Sequence, residues 1–118
     1  MIEDIDDLPD GVIGVRAVGS FTVEDYNAVV EPELERLEED HADLRLLLVL
    51  GEDFTGFGEG AWGDLTSSIR HTKFHRGAVV TDDSMVRNGL RVLKWMLRGD
   101  VRTFSNHDYD KARSWVAG

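Results

Sequence analysis

The sequence has 118 residues, contains no cysteine and carries a formal net charge of −10 at pH 7. A chain of this length forms one domain with its own core, here residues 1–118. The lack of cysteine excludes disulfides, thiolate zinc sites and cysteine nucleophiles. The acidic balance disfavours nucleic acid, because phosphate binding needs a basic surface. An acidic start and no apolar run of roughly 18 residues favour a cytoplasmic location with no transmembrane segment.

The first elements in the chain are predicted to be a hairpin and a helix. A Pro-Asp-Gly turn at residues 9–11 separates short strands at residues 2–5 and 12–18. Thr22 and Asp25 then form a capping box that starts a helix, with apolar residues at helical spacing through residue 37. Pro32 lies inside this pattern and lacks a backbone donor, so we expect a kink near residues 28–31.

A strand covered on both faces is predicted at residues 44–50, because six of its seven residues are apolar and do not alternate with polar ones. This pattern is typical of a central strand in a parallel sheet. Since open α/β sheets bind ligands where their strands end, we expect the site of this domain at the end of this strand.

The turn that leaves this strand is rich in glycine and acidic residues, and we interpret it as a long, flexible recognition surface. Gly58, Gly60 and Gly63 match the G-x-G-x-x-G pattern of dinucleotide-binding domains. However, seven residues separate the strand from Gly58, and Glu59 would oppose a phosphate. We therefore expect an interaction loop and no nucleotide. Its candidate residues are Asp53, Phe54, Thr55, Gly56, Phe57 and Trp62.

The second half of the chain alternates helices with strands. The pattern predicts a helix at residues 61–71, a strand at 77–81, a helix at 85–98, a strand at 101–104 and a terminal helix. Such alternation indicates an α/β fold with a largely parallel sheet. The bulky candidates for lining a pocket are Trp62, Met85, Trp95, Met96 and Trp115, and we expect most of them to lie in the core.

Charge is divided unevenly along the chain. Residues 1–59 hold 17 acidic and 3 basic residues, a net charge of −14, whereas residues 60–118 hold 6 acidic and 10 basic residues, a net charge of +4. Much of this excess lies on the helix at 85–98, beside its apolar stripe. Solvated faces of opposite sign explain the division most simply; an anionic ligand or head-to-tail self-association is the alternative. The candidate residues for an anionic ligand or a partner are Arg87, Arg91, Lys94 and Trp95.

No set of residues is spaced for catalysis or metal binding. Glu52, Asp53, Asp82 and Asp83 follow two strands and could hold Mg²⁺ at one sheet edge, but we favour Asp82 and Asp83 as helix caps. His71 and His75 are four residues apart, with no third ligand at nearby spacing. We expect no catalytic residue, no metal and no cofactor.

Short motifs in a fixed order make the chain resemble the SpoIIAA-like (STAS-like) family of small bacterial proteins. They lie at residues 8–14, 22–26 with Pro32, 44–48, 53–57, 79–82 and 104–115. The resemblance implies a βαβ superhelix with a mostly parallel sheet, an N-terminal antiparallel hairpin and helices packed on the sheet, like that shared by STAS and CRAL-TRIO lipid-binding domains.

The better-known relatives are anti-sigma factor antagonists, which bind a partner kinase and are switched by phosphorylation of a serine between a strand and a helix. This chain has Asp53-Phe54-Thr55-Gly56 in place of the antagonists' Asp-Ser-Ser-Gly, so its nearest hydroxyl is Thr55. We expect a non-enzymatic regulatory or protein-interaction module that self-associates as a dimer. The alternative is a carrier or sensor of a small anionic or lipid-like ligand, held through the basic helix.

Overall fold

The computed structural model of the chain describes residues 2–9, 11–39, 44–71, 75–93 and 99–118. Its main sheet has five strands in the order β1-β2-β4-β6-β7. The strands are β1 (Ile2–Asp4), β2 (Val12–Ala17), β4 (Arg45–Leu50), β6 (Arg76–Thr81) and β7 (Asp100–Phe104). β1 pairs antiparallel with β2, and the other neighbours are parallel. The predicted hairpin and parallel sheet are both present, with strand ends within one residue of the predicted ones.

Four helices of the described residues pack on this sheet. Helix α1 runs through three consecutive segments, Val23–Asp25, Tyr26–Val30 and Glu31–Glu39; the others are α2 (Ala61–His71), α3 (Ser84–Leu93) and α4 (Tyr109–Ala117), the last preceded by a 3₁₀ turn at Asn106–Asp108. The predicted end of α3 at residue 98 lies outside the described residues. Within the described residues, no helix is both long and apolar enough to cross a membrane.

Helix α1 is irregular where a kink was predicted. Its middle segment is π-helical, and the Glu31 N–H donates to the Tyr26 carbonyl, five residues back. Pro32 follows immediately and has no N–H of its own to continue the regular ladder. The capping box is present at the start: the Asp25 N–H donates to Thr22 Oγ1 and the Thr22 N–H to Asp25 Oδ2, both at 3.1 Å.

Strand β4 is buried on both faces, as its apolar run predicted. Leu46, Leu48 and Leu50 join a core under α1, α2 and α3. Leu47 and Val49 join a second core under α4. Side chains alternate between the faces of a strand, so a continuous apolar run is needed to cover both.

The segment after β4 was predicted to be a loop throughout, and this was wrong for residues 54–57. Phe54–Phe57 forms strand β5, which pairs in parallel with β3 (Gly19–Phe21), a strand that the sequence pattern did not indicate. Gly56 has a φ of 134° and permits the irregular register of this short pair. The turn is therefore an ordered second sheet at the end of β4.

Candidate functional site

An apolar groove lies beside the N-terminal half of helix α3. We call it the aromatic groove. It encloses about 370 Å³ and is lined by Phe54, Gly56, Phe57, Trp62, Asp83, Met85, Val86 and Gly89. Strand β5 and helix α2 supply the aromatic side, and α3 supplies the other. Four of the predicted interaction residues, from Phe54 to Trp62, are brought together here.

Three rings form the aromatic side of the groove. Phe57 contacts Phe54 and Trp62 edge to face, with ring centroids 5.2 Å and 5.1 Å apart, and contacts the fully buried Phe21 at 5.4 Å. Such edge-to-face contacts are the favoured geometry for aromatic pairs. Phe21 thus anchors the rings to the core, and the groove wall is held in place without a ligand.

Hydrogen bonds to the main chain fix the segment that carries these rings. The Gly19 N–H donates to the Asp53 carbonyl at 2.8 Å, and the Gly58 N–H donates to the Phe21 carbonyl at 2.7 Å. Gly58 is the first glycine of the G-x-G-x-x-G pattern, and here its amide pairs the segment with β3.

Helix α3 begins at the groove and is capped there by Asp83. Oδ1 of Asp83 accepts from the N–H groups of Met85 at 2.9 Å and Val86 at 3.2 Å. The Asp83 N–H donates to Oγ1 of the buried Thr81 at 3.0 Å. This confirms the predicted cap at Asp83 and sets the position from which Met85 projects.

Met85 is 82% exposed and lines the groove, so it is not one of the bulky side chains that lie in the core. It is next to Val86, which faces the core, and therefore falls off the inner stripe of α3. A flexible thioether left in water at the edge of three rings is typical of surfaces that bind varied apolar partners. Its position off the stripe is the signal that could have identified it from the sequence.

The other predicted loop residues lie away from the groove lining. Thr55 is exposed on β5, well before the first residue of α2. Asp53 lines a different cavity of about 310 Å³, at the carboxyl ends of β2, β4 and β6, together with Arg16, Glu52, Asn106 and others. Oδ1 of Asn106 is buried there and has no hydrogen-bond partner among the described residues.

The carboxylates that follow β4 and β6 do not form a metal cluster. Oδ1 of Asp82 accepts the Asn106 N–H at 3.0 Å and so connects two loops, while Asp83 caps α3. Across the described part of the chain, no group of three or more His, Asp or Glu side chains could hold a metal ion. Asp82 is a loop contact rather than the predicted helix cap.

A second groove lies on the opposite side of α3, between that helix and β7. We call it the basic groove. It encloses about 730 Å³ and is lined by Ser84, Arg87, Asn88, Leu90, Arg91, Val101, Arg102 and Thr103. The predicted residues Arg87 and Arg91 are one turn apart here, whereas Lys94 and Trp95 lie outside the described residues. The guanidinium of Arg102 lies elsewhere, 4.9 Å from the centre of the Trp115 ring.

Comparisons with known proteins agree on the fold. A family model described as SpoIIAA-like matches residues 12–117. No curated protein matches the chain. Among solved structures, it is similar to an uncharacterized protein from the DUF3478 family with a SpoIIAA-like fold from Shewanella loihica PV-4, with 24% identity, a TM-score of 0.72 and coverage of 98% of this chain and 92% of that one. At this identity, the structural likeness shows the fold alone.

Proposed function

Since this chain belongs to the SpoIIAA-like family, we propose that it is a non-enzymatic, STAS-like protein-interaction module with a regulatory role. Its docking surface is the aromatic groove. The observation that carries the proposal is the placement of Met85, 82% exposed, opposite the rings of Phe57 and Trp62. An exposed apolar side chain that is continuous with an apolar groove is typical of a binding surface.

The groove suits an apolar anchor from a partner protein. Its lining is mainly aromatic and aliphatic, with Asp83 as the single charged side chain that the described residues contribute. Burying one large side chain of a partner there would contribute about 1.5–3 kcal/mol. Rings held by Phe21 would lose little conformational freedom on binding.

A selection from a random dodecapeptide library tests this function. We expect peptides that bind the wild-type chain and lose binding to Met85→Glu. Val92→Glu is the matched control, because Val92 is also on α3, is 71% exposed and does not line the groove. Amide and indole NMR shifts at Trp62, Gly56 and Gly89 should follow peptide addition. A selection that yields no peptide dependent on Met85 would reject the proposal.

A second candidate function, carrying a small anionic or lipid-like ligand, is favoured by the basic groove. Arg87 and Arg91 are joined there by Ser84, Asn88 and Thr103, and no carboxylate of the described residues lines it. Two guanidinium groups with nearby hydroxyls suit a carboxylate or phosphate head group. Native mass spectrometry of freshly purified protein tests this candidate; an apo mass, with no thermal shift on adding fatty acids or phospholipids, counts against it.

A further inference from the structure

We propose that the partner segment for the aromatic groove is basic: an apolar anchor side chain flanked by Lys or Arg. This rests on the proposed function and adds the chemistry of the partner. The juxtaposition behind it is an apolar groove with Asp83 in its lining, in a chain of net charge −10, while Arg87 and Arg91 of α3 line the basic groove.

One carboxylate lines the groove, and two more lie close in sequence to lining residues. Asp83 lines it, Asp53 directly precedes Phe54, and Glu59 lies in the turn between Phe57 and Trp62. All three are exposed. A partner that places cations beside its anchor would meet these carboxylates at the edge of the contact, where each pair adds little energy alone but selects the partner.

Helix α3 keeps the opposite charge away from this groove. Met85 and Gly89 are four residues apart on the side that faces the rings. Arg87 and Arg91 are also four apart, and they line the basic groove. Because residues four apart share a helix face, the arginines lie on a face distinct from that of Met85. The helix therefore separates an acidic apolar surface from a basic one.

The net charge of the whole chain also favours a cationic partner. The net charge is −10: residues 1–59, which supply β5 and the turn to Glu59, carry −14, and residues 60–118 carry +4. Such a field accelerates the approach of a cationic partner and repels an anionic one, including an anionic membrane surface or a phosphorylated segment. The aromatic groove is thus selective against the ligands that would suit the basic groove.

The sequences of the peptides from the same selection test this inference. We expect the groove-dependent peptides to carry an aromatic or aliphatic anchor next to Lys or Arg. Replacing those cations with Gln in a synthetic copy should weaken binding at least about threefold at low salt, and the difference should shrink at about 0.5 M salt because ions screen the pairs.

The matching protein variant replaces the three carboxylates named above with neutral amides. Asp53→Asn, Glu59→Gln and Asp83→Asn together should weaken the selected peptides by a similar factor, and Asn at position 83 keeps the helix cap. The control neutralises three exposed carboxylates elsewhere, Glu31→Gln, Glu35→Gln and Asp110→Asn, and should leave affinity unchanged. Circular dichroism of both triple variants should match that of the wild type.

The outcomes separate the two proposals. Groove-dependent peptides without Lys or Arg, or equal losses in both triple variants, overturn the basic-partner inference and leave the proposed function standing. The absence of any groove-dependent peptide overturns both. A chain that dimerises and becomes monomeric on Met85→Glu would assign the groove to a second copy, and it would also overturn the inference.

Discussion

The indole of Trp62 lies against the backbone of Gly89, so that an ideal Cβ at position 89 would be 2.8 Å from Cζ2 of Trp62. Carbon atoms do not approach this closely, and the ring would have to move. Position 89 therefore requires glycine, because a residue without a side chain lets helix α3 pack against the aromatic side of the groove.

Gly89→Ala should therefore destabilise the protein and reshape the groove. Alanine stabilises a helix interior by up to about 1 kcal/mol relative to glycine. Displacing a packed ring costs about 1–3 kcal/mol, so we expect the free energy of unfolding to fall by about 1 kcal/mol in total. Gly63→Ala on α2 is the control, because nothing lies within 4 Å of its Cβ position, and it should stabilise the chain. Urea unfolding measures both; a stabilised Gly89→Ala would contradict the packing described.

The Asp25 carboxylate should make stability depend on acid pH. Partial burial acts to raise its pKa, but hydrogen bonds from the Thr22 backbone and hydroxyl outweigh burial, so the pKa lies below the usual 3.8. A lowered folded-state pKa gives stability that is present above the unfolded pKa and is lost as pH falls through the folded one. The stability difference between wild type and Asp25→Ala should therefore be larger at pH 7 than near pH 2. A difference that does not vary with pH would contradict this assignment.

Tyr26 should make the stability of the protein fall at alkaline pH. Burial, and then the nearby carboxylates of Glu31, Asp64 and Glu35, raise its pKa above the usual 10.0. Stability from a raised pKa is present below the unfolded value and is lost as pH rises through the folded one. Tyr26→Phe should remove this alkaline loss and should cost about 1 kcal/mol at pH 7, because the hydrogen bond with the Ser68 hydroxyl is lost. The free energies of unfolding of the wild type and Tyr26→Phe, measured at pH 7 and near pH 11, check both expectations.

Arg76 should hold the C-terminal helix in place. Its Nη1 donates to the Trp115 carbonyl at 2.6 Å, and its guanidinium lies 5.1 Å from the centre of the Trp115 ring. Arg45 donates in the same way to the Val116 carbonyl at 2.6 Å. Cations at these final carbonyls also suit the helix dipole.

Arg76→Ala should cost about 1–3 kcal/mol and speed hydrogen exchange in α4, since charge-assisted hydrogen bonds are among the stronger kind. Arg102→Ala serves as the comparison. This variant removes a guanidinium that stacks on the same Trp115 ring. Because the Arg102 side chain is half-exposed, its loss should lower the free energy of unfolding by less than the loss of Arg76 does. Equal losses would show that ring stacking, rather than carbonyl capping, holds the helix.

Self-association should depend on Val92. It and Met85 are the exposed large hydrophobic residues of the described chain, and only Met85 lines the aromatic groove. Val92→Glu should shift a dimer to monomer in size-exclusion chromatography with light scattering, while leaving groove-dependent peptide binding intact. A wild-type chain that stays monomeric at every salt concentration would reject self-association.

Local patterns in the sequence were sufficient for most of the fold. Six apolar residues between positions 44 and 50 predicted a strand buried on both faces, and the helix cap formed by Thr22 and Asp25 could be identified from two side chains three residues apart. Pro32 indicated where α1 would become irregular. In each case the deciding interaction lies within a few residues of chain, so sequence spacing alone describes it.

The site depended on contacts between distant residues. Phe54–Phe57 is a strand only because Gly19–Phe21 pairs with it, and those segments are more than thirty residues apart. The exposed position of Met85 and the need for glycine at position 89 follow from where α3 meets Trp62. Sequence by itself determined the helices, the strands of the main sheet and the division of charge, because periodicity and composition are local properties. Only tertiary structure decided that three aromatic rings, a methionine and a glycine form one groove beside Asp83, because that groove exists only where packed elements meet.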